Sequence, residues 1–205
     1  MFINNYTLKI GNRILLENTN LDFEEGEINH LLGRNGSGKS QLAKDFIINR
    51  GNYFSNDIYE DTLIISSYSN LPSDVTINDL ERTIPWKLSK EIYQLLNINQ
   101  ISKTVKLKQL SDGQKQKVKL LVLLSLDKHI IILDEITNAL DKKSVDEINV
   151  FLQNYIQYYP EKIIINISHD INNIRSLKGN YFLIDNQKIC KVDTLDDAIS
   201  WYLGE

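Results

Sequence analysis

Apolar and polar residues alternate through residues 1–32, and further along the chain they give way to compact blocks of uniform hydrophobicity. In the first part, "YTLKI" and "ILLENTNLDF" flank the turn "GNR", and "EEGE" separates them from "INHLLG". These segments predict short strands joined by turns, a mostly antiparallel start. From Gln41, "QLAKDFII" repeats apolar residues at helical spacing. The runs "TLIISS" (62–67), "HIIILDE" (129–135) and "KIIINISHD" (162–170) read as buried strands. Between them, "SDGQKQKVKLLVLLSL" opens on a capping serine and runs as one amphipathic-to-apolar helix, and "KKSVDEINVFLQNYIQ" predicts another. "YFLIDNQKICKV" predicts a hairpin around Asn186 and Gln187. Residues 71–108 carry only short helical patterns, "INDLERTI" and "LSKEIYQLLN", and read as a small inserted helical lobe. Alternating helices and apolar strands predict an α/β layered core built on a parallel sheet.

The junction between "INHLLG" and "QLAKDFII" is the sequence "GRNGSGKS", three glycines with a lysine and two serines. Glycine loses more freedom on folding than any other residue, so such a cluster marks a sharp turn or a close approach. Gly33-x4-Gly38-Lys39-Ser40 matches the phosphate-binding P-loop pattern, and it lies between a strand and a helix as that pattern requires. Successive backbone N–H groups and the start of the following helix make a cradle for phosphate oxygens. Lys39 would reach the β and γ phosphates, and the Ser40 hydroxyl would bind Mg²⁺.

Composition narrows the setting. At 205 residues and 23.7 kDa the chain suits one domain with a small lobe. A net charge of -4 gives no basic footprint, so no nucleic acid is expected as a partner. One cysteine, Cys190, cannot form an internal disulfide, and no signal segment opens the sequence, so a cytoplasmic address is expected. The longest purely apolar runs, such as Leu120 to Leu124, fall far short of the ~20 residues of a membrane-spanning helix. A membrane role would therefore come through a partner.

Two further segments carry chemistry. "IIILDE" places Asp134 and Glu135 at the C-terminal end of a buried strand, the edge where ligands sit in open parallel sheets. Asp134 can hold Mg²⁺ through water, and Glu135 can accept a proton from an attacking water. His169 follows "IIINIS" at the end of another buried strand, within reach of a γ-phosphate.

"LSDGQ" (110–114) resembles the signature of ATP-binding cassette (ABC) ATPases, and the order of motifs fits that family. The glycine loop comes first, then the signature, the acidic strand end about twenty residues later, "NALD" resembling the D-loop, and "SHD" resembling the switch histidine. The resemblance spans nearly the whole chain, residues 1–205 as a single ATP-binding domain with a P-loop NTPase core, an N-terminal antiparallel β subdomain and a helical lobe over 71–113 that ends in the signature. It implies a head-to-tail pair of cassettes, each ATP lying between the phosphate loop of one and the signature of the other. Gly33, Arg34, Asn35, Gly36, Ser37, Gly38, Lys39, Ser40 and Gln41 would then hold ATP from one side, and Ser111, Gly113 and Gln114 from the other. Ser40 and Asp134 would hold Mg²⁺, Glu135 would be the general base, His169 the γ-phosphate sensor, and Asp141 the D-loop residue at the dimer interface.

By this resemblance the chain is the ATP-hydrolysing subunit of a bacterial transporter, an exporter rather than an importer, peripheral on the inner face of the membrane. Its expected partners are a second cassette, identical or different, and a separate transmembrane permease. Ile84 and Trp86 around Pro85 are candidate contacts for that permease. A soluble ABC ATPase not linked to transport, and a degenerate regulatory cassette, are the alternatives.

Three departures stand out. Asp112 replaces the usual glycine of the signature; at a helix's first turn an outward-pointing acid is favoured. No glutamine occurs between Gln41 and Gln94, so "SSYSNLP" occupies the place of the family's Q-loop, whose glutamine touches Mg²⁺ and reports to the membrane partner. Coupling would have to use another group, such as Ser67 or Ser69, or work through water. Ile10 stands near the place of the aromatic that stacks on adenine, which leaves ATP and GTP both open.

Overall fold

The computed structural model describes residues 1–48 and 53–203, with the side chains of 86–89, 202 and 203 excepted. Its centre is a mixed sheet in the order β4(Thr62–Ser66), β5(Ile130–Asp134), β6(Ile163–Ile167), β3(Ile28–Gly33), β7(Asn180–Asp185), β8(Lys188–Val192). The first five run parallel, and β8 turns back antiparallel on β7 at the edge. The turn between them places Asn186 and Gln187 at φ 45° and 62°, the left-handed pair that a tight hairpin needs. A separate antiparallel pair, β1(Phe2–Ile10) and β2(Arg13–Asp22), forms the N-terminal β subdomain.

The apolar strands face two cores. Ile131, Leu133 and Ile164 point one way, against α5(Asp112–Leu124), α6(Lys142–Tyr158) and the helical lobe. Ile130, Ile132, Ile163, Ile165 and Ile167 point the other way, onto α1(Lys39–Ile48) and the β1–β2 pair. Successive strand residues alternate faces, so uninterrupted isoleucine is what a sheet covered on both sides requires.

The lobe consists of α3(Ile77–Glu81), α4(Trp86–Leu95) and two single 3₁₀ turns, and it joins the main core through residues such as Ile77, Ile92 and Leu96. Three short helices are absent from the sequence reading. One of them, α2(Asn56–Glu60), is capped by Ser55, and α7(Ile171–Ser176) is capped by Asp170. The last, α8(Leu195–Leu203), packs Ala198 against Leu32 and Leu183. The expected "INDLERTI" helix forms as α3, trimmed to Ile77–Glu81, about one and a half turns.

A buried polar contact stiffens the strand that leads into the glycine loop. His30 of β3 is fully buried; its Nε2 lies 2.8 Å from the Leu177 carbonyl, and its Nδ1 lies 3.1 Å from Asn166 Nδ2. These partners suit the neutral imidazole that donates from Nε2 and accepts at Nδ1. Burial lowers its pKa to about 4. Unfolded His30 titrates near 6.5, so between pH 6.5 and about 4 the unfolded chain binds the proton and the folded chain does not. This stabilisation is complete above pH 6.5 and falls as pH drops, by about 2 kcal/mol at pH 5. Urea unfolding at pH 7 and pH 5 should show that loss in the wild-type chain, and a His30→Gln variant should lack that part of the slope.

Candidate functional site

Strand order brings the predicted residues together. β3 and β5 run parallel with β6 between them, so the loop after β3, the acids at the end of β5 and the residues after β6 all emerge at one edge of the sheet. In the loop, Gly38 has φ 109°, and a Cβ there would lie 3.2 Å from Leu15 Cβ, so only glycine lets the backbone pass beneath β2. The loop ends at α1, whose first-turn N–H groups have no partner within the helix and whose dipole is positive at this end.

Lys39 is nearly fully buried, and its Nζ donates to the carbonyls of Gly33 at 2.6 Å and Arg34 at 3.2 Å. Desolvation lowers its pKa, and the nearby Glu135 and Asp134 carboxylates oppose that shift. The Ser40 hydroxyl donates to Asp134 Oδ1 at 3.0 Å. Burial and the adjacent Glu135 charge raise the Asp134 pKa, while Ser40 pulls it down.

Glu135 sits at φ 55°, a left-handed conformation costing a non-glycine residue about 1 kcal/mol or more, and its N–H donates to Ile167 O at 2.9 Å. That backbone turn lifts the carboxylate off the strand axis. One carboxylate oxygen lies 2.9 Å from His169 Nε2, and the other accepts from Asn138 Nδ2 at 2.7 Å. Burial, with Lys39 as a second cause, lowers the His169 pKa. Its Nδ1 is buried with no hydrogen-bond partner, so the neutral form with the proton on Nε2 fits best.

A cavity of about 370 Å³ gathers Gly36, Gly38, Lys39, Ser40, Gln41 and His169 under Ile10, Arg13 and Leu15. Among the described residues no Phe, Tyr or Trp lines it, and Ile10 lies where an adenine-stacking aromatic was expected. Arg34 and Asn35 are exposed on the outer side of the loop, and the Arg34 guanidinium lies 5.8 Å from the Trp201 ring of α8.

None of Ser111, Gly113 and Gln114 lines this cavity. They form the start of α5 instead: Ser111 Oγ accepts from Gln114 N at 3.2 Å, and Gln114 Oε1 accepts from Ser111 N at 3.1 Å, a reciprocal cap. Gly113 is needed within the chain itself, since a Cβ there would lie 2.2 Å from Ser144 Oγ. Asp112 points outward to Lys115 at 3.0 Å, as its first-turn position led one to expect. Asp141 is exposed and caps α6, accepting from Ser144 N and Oγ at 3.0 and 2.9 Å. Ser144 therefore links the signature to the D-loop.

Asn138 was missed in the sequence; its place three residues after Glu135, inside "NALD", was the available signal. The Trp86 side chain lies outside the described residues, and Ile84 packs partly buried against the core.

A magnesium nucleotide fits the donor set. Lys39 and the α1 N-terminus face the same cavity, Ser37 Oγ in the glycine loop is buried without a partner, and Ser40 with Asp134 offers a hydroxyl and a carboxylate to a hard cation. Among the described residues no group of three or more His, Cys, Asp and Glu could hold a metal alone, so phosphate oxygens would complete the coordination.

Comparison with known proteins agrees with this geometry. A family model described as ABC transporter matches residues 16–138. The chain is 48% identical over 209 residues to "Probable peptide export ATP-binding protein YydI" of Bacillus subtilis (strain 168), covering 100% of both. It is 30% identical to "Energy-coupling factor transporter ATP-binding protein EcfA1" of Mycoplasma mobile, covering 91% of this chain and 76% of that one. The solved structure of cbiO1 from Clostridium perfringens superposes with a TM-score of 0.79 at 21% identity, over 97% of this chain and 90% of that one, a likeness of fold. Among the described residues no helix is long and apolar enough to cross a membrane. With the phosphate loop, acidic strand end and signature in the family's order on the family's fold, the chain belongs to the ABC transporter family, as an ATP-binding subunit.

Proposed function

We propose that this chain binds and hydrolyses Mg-ATP as the cytoplasmic motor of an exporter of peptides, with residues 1–205 acting as one ATP-binding domain and a separate permease forming the membrane path. The observation that carries the chemistry is the Glu135 carboxylate held between His169 and Asn138 at the rim of the Lys39–Ser40 loop. The direction and cargo class are supported by the printed name of the Bacillus subtilis relative.

In this reading Lys39 exchanges its two loop carbonyls for β and γ phosphate oxygens, while the loop amides and the α1 dipole hold the rest of the triphosphate. Ser40 and Asp134 would hold Mg²⁺, which when bound neutralises charge on the β and γ phosphates. Asn138 and His169 fix the direction of the Glu135 carboxylate, which takes the proton of the attacking water. His169, neutral at physiological pH because its pKa lies below the ordinary value, donates from Nε2 either to Glu135 or to a γ-phosphate oxygen. Ser111 and the start of α5 stand apart from this cavity, which supports a second cassette supplying its signature to complete the site.

Two substitutions test the reading. Lys39→Ala should lose ATP binding, or hydrolysis with it, because the phosphates lose their main cation; unchanged turnover would remove Lys39 from the site. Glu135→Gln keeps shape and hydrogen bonding but cannot take the proton, so hydrolysis should fall ~10² to 10⁴-fold while binding survives. With ATP persisting, that variant should run as an ATP-dependent dimer in size-exclusion chromatography with light scattering. Wild-type hydrolysis by Glu135→Gln would remove Glu135 from the role of base.

A further inference from the structure

A second cleft, of about 610 Å³, opens between the turn after β4, the lobe and α5, and it reaches Glu135. Asp112, Gln116 and Lys119 recur along one face of α5 and all line it. Gln116 is only 6% exposed, and its Nε2 has no hydrogen-bond partner. Lys119 Nζ crosses to the Ser66 carbonyl at 3.4 Å.

Ser66 is a telling place to hold. It is the last residue of β4 and pairs in register with Asp134 on β5. It also closes the turn that stands in for the family's glutamine loop: Ser69 N donates to Ser66 O at 3.1 Å, Ser66 N donates to Ser69 Oγ at 3.0 Å, and Tyr68 N donates to Ser66 Oγ at 3.2 Å. The Ser66 and Ser69 hydroxyls are therefore engaged with the turn's own backbone. What reaches it from outside is the ammonium of Lys119.

We propose that Lys119 is a positioning residue that ties α5 to the strand edge carrying Asp134, so that filling the metal and phosphate site sets how Ser111 is presented to a second cassette. The mechanical basis is short. β4 and β5 are hydrogen-bonded side by side, so a shift of Asp134 carries Ser66 with it. Lys119 lies eight residues from Ser111, about 12 Å along a helix, which transmits displacement as a rigid body. Lys115 and Lys108 are already paired with Asp112 and Asp74, at 3.0 and 2.7 Å, whereas Lys119 meets a carbonyl. Partial burial lowers its pKa, and in those less polar surroundings the contact counts for more than it would in water. The chain thereby obtains from its signature helix a link that its glutamine-free turn lacks.

The inference rests on the nucleotide-driven pairing proposed above. Lys119→Met keeps the apolar stem and removes the donor; Lys119→Arg keeps both. Calorimetry with Mg-ATP should give an affinity for Lys119→Met within about threefold of wild type, while kcat falls about tenfold at little-changed KM, the size of one lost charged hydrogen bond. In the Glu135→Gln background, Lys119→Met should need about tenfold more ATP to dimerise, and Lys119→Arg should restore most of both effects. Should Lys119→Met melt below the assay temperature by circular dichroism, Lys119→Gln makes the same test. Wild-type kcat and dimerisation in the Met or Gln variant would overturn the inference alone, as would a loss of ATP affinity, which would make Lys119 part of the nucleotide pocket. Glu135→Gln that stays monomeric with ATP would overturn the pairing and this inference with it.

Discussion

The ammonium of Lys39 is buried at the end of β3, held by two backbone carbonyls, with the carboxylates of Asp134 and Glu135 acting on it across the sheet edge. That arrangement governs the rest of the site. A buried cation is costly unless anions or dipoles surround it, and two adjacent carboxylates are costly unless cations do. Here each partly offsets the other, with the Asp134 pKa still raised and the Lys39 pKa still lowered. The balance favours a ligand that brings both signs, and a triphosphate with a divalent cation does so.

Sheet topology makes the arrangement possible. Inserting β6 between β5 and β3 separates the acids from the loop by one strand, and β6 itself contributes His169 just past its end. Strands β3 to β7 carry no Asp, Glu, Lys or Arg before their last residue, so the charged residues of the site collect at the C-terminal edge of the sheet. On the lobe side of the chain, the tight approach of Gly113 to Ser144 and the capping of α6 by Asp141 join the signature to the D-loop. The two halves of the chemistry thus stand on two parts of the chain, the phosphate loop under the β hairpin and the signature on the lobe side.

Much of this was legible locally. The glycine loop, the acidic strand end and the capping serine each announce themselves within a few residues, because the backbone geometry or the buried run that demands them is local. The signature cap at Ser111 and Gln114 was readable for the same reason. What escaped was long-range or short. Lys119 and Ser66 are 53 residues apart, and no spacing rule joins a helix lysine to a strand-end carbonyl. His30 looks like any strand histidine until Leu177 and Asn166 are placed on it. The helices α2 and α7 are five and six residues long, too short to show a helical period, and depend on the caps Ser55 and Asp170. Glu135 could be located by its strand, but its left-handed backbone and its grip by Asn138 follow from the turn that the strand end makes.

The central claim is that one chain carries a phosphate site and a signature that do not meet, so hydrolysis requires two cassettes to close on each other. The most direct measurement is the rate of phosphate release per mole of purified protein, at saturating Mg-ATP, across a wide range of protein concentration. The specific rate should rise with concentration through the range where dimers form, and level off once they dominate. A specific rate that stays constant down to concentrations where light scattering finds only monomers would contradict it.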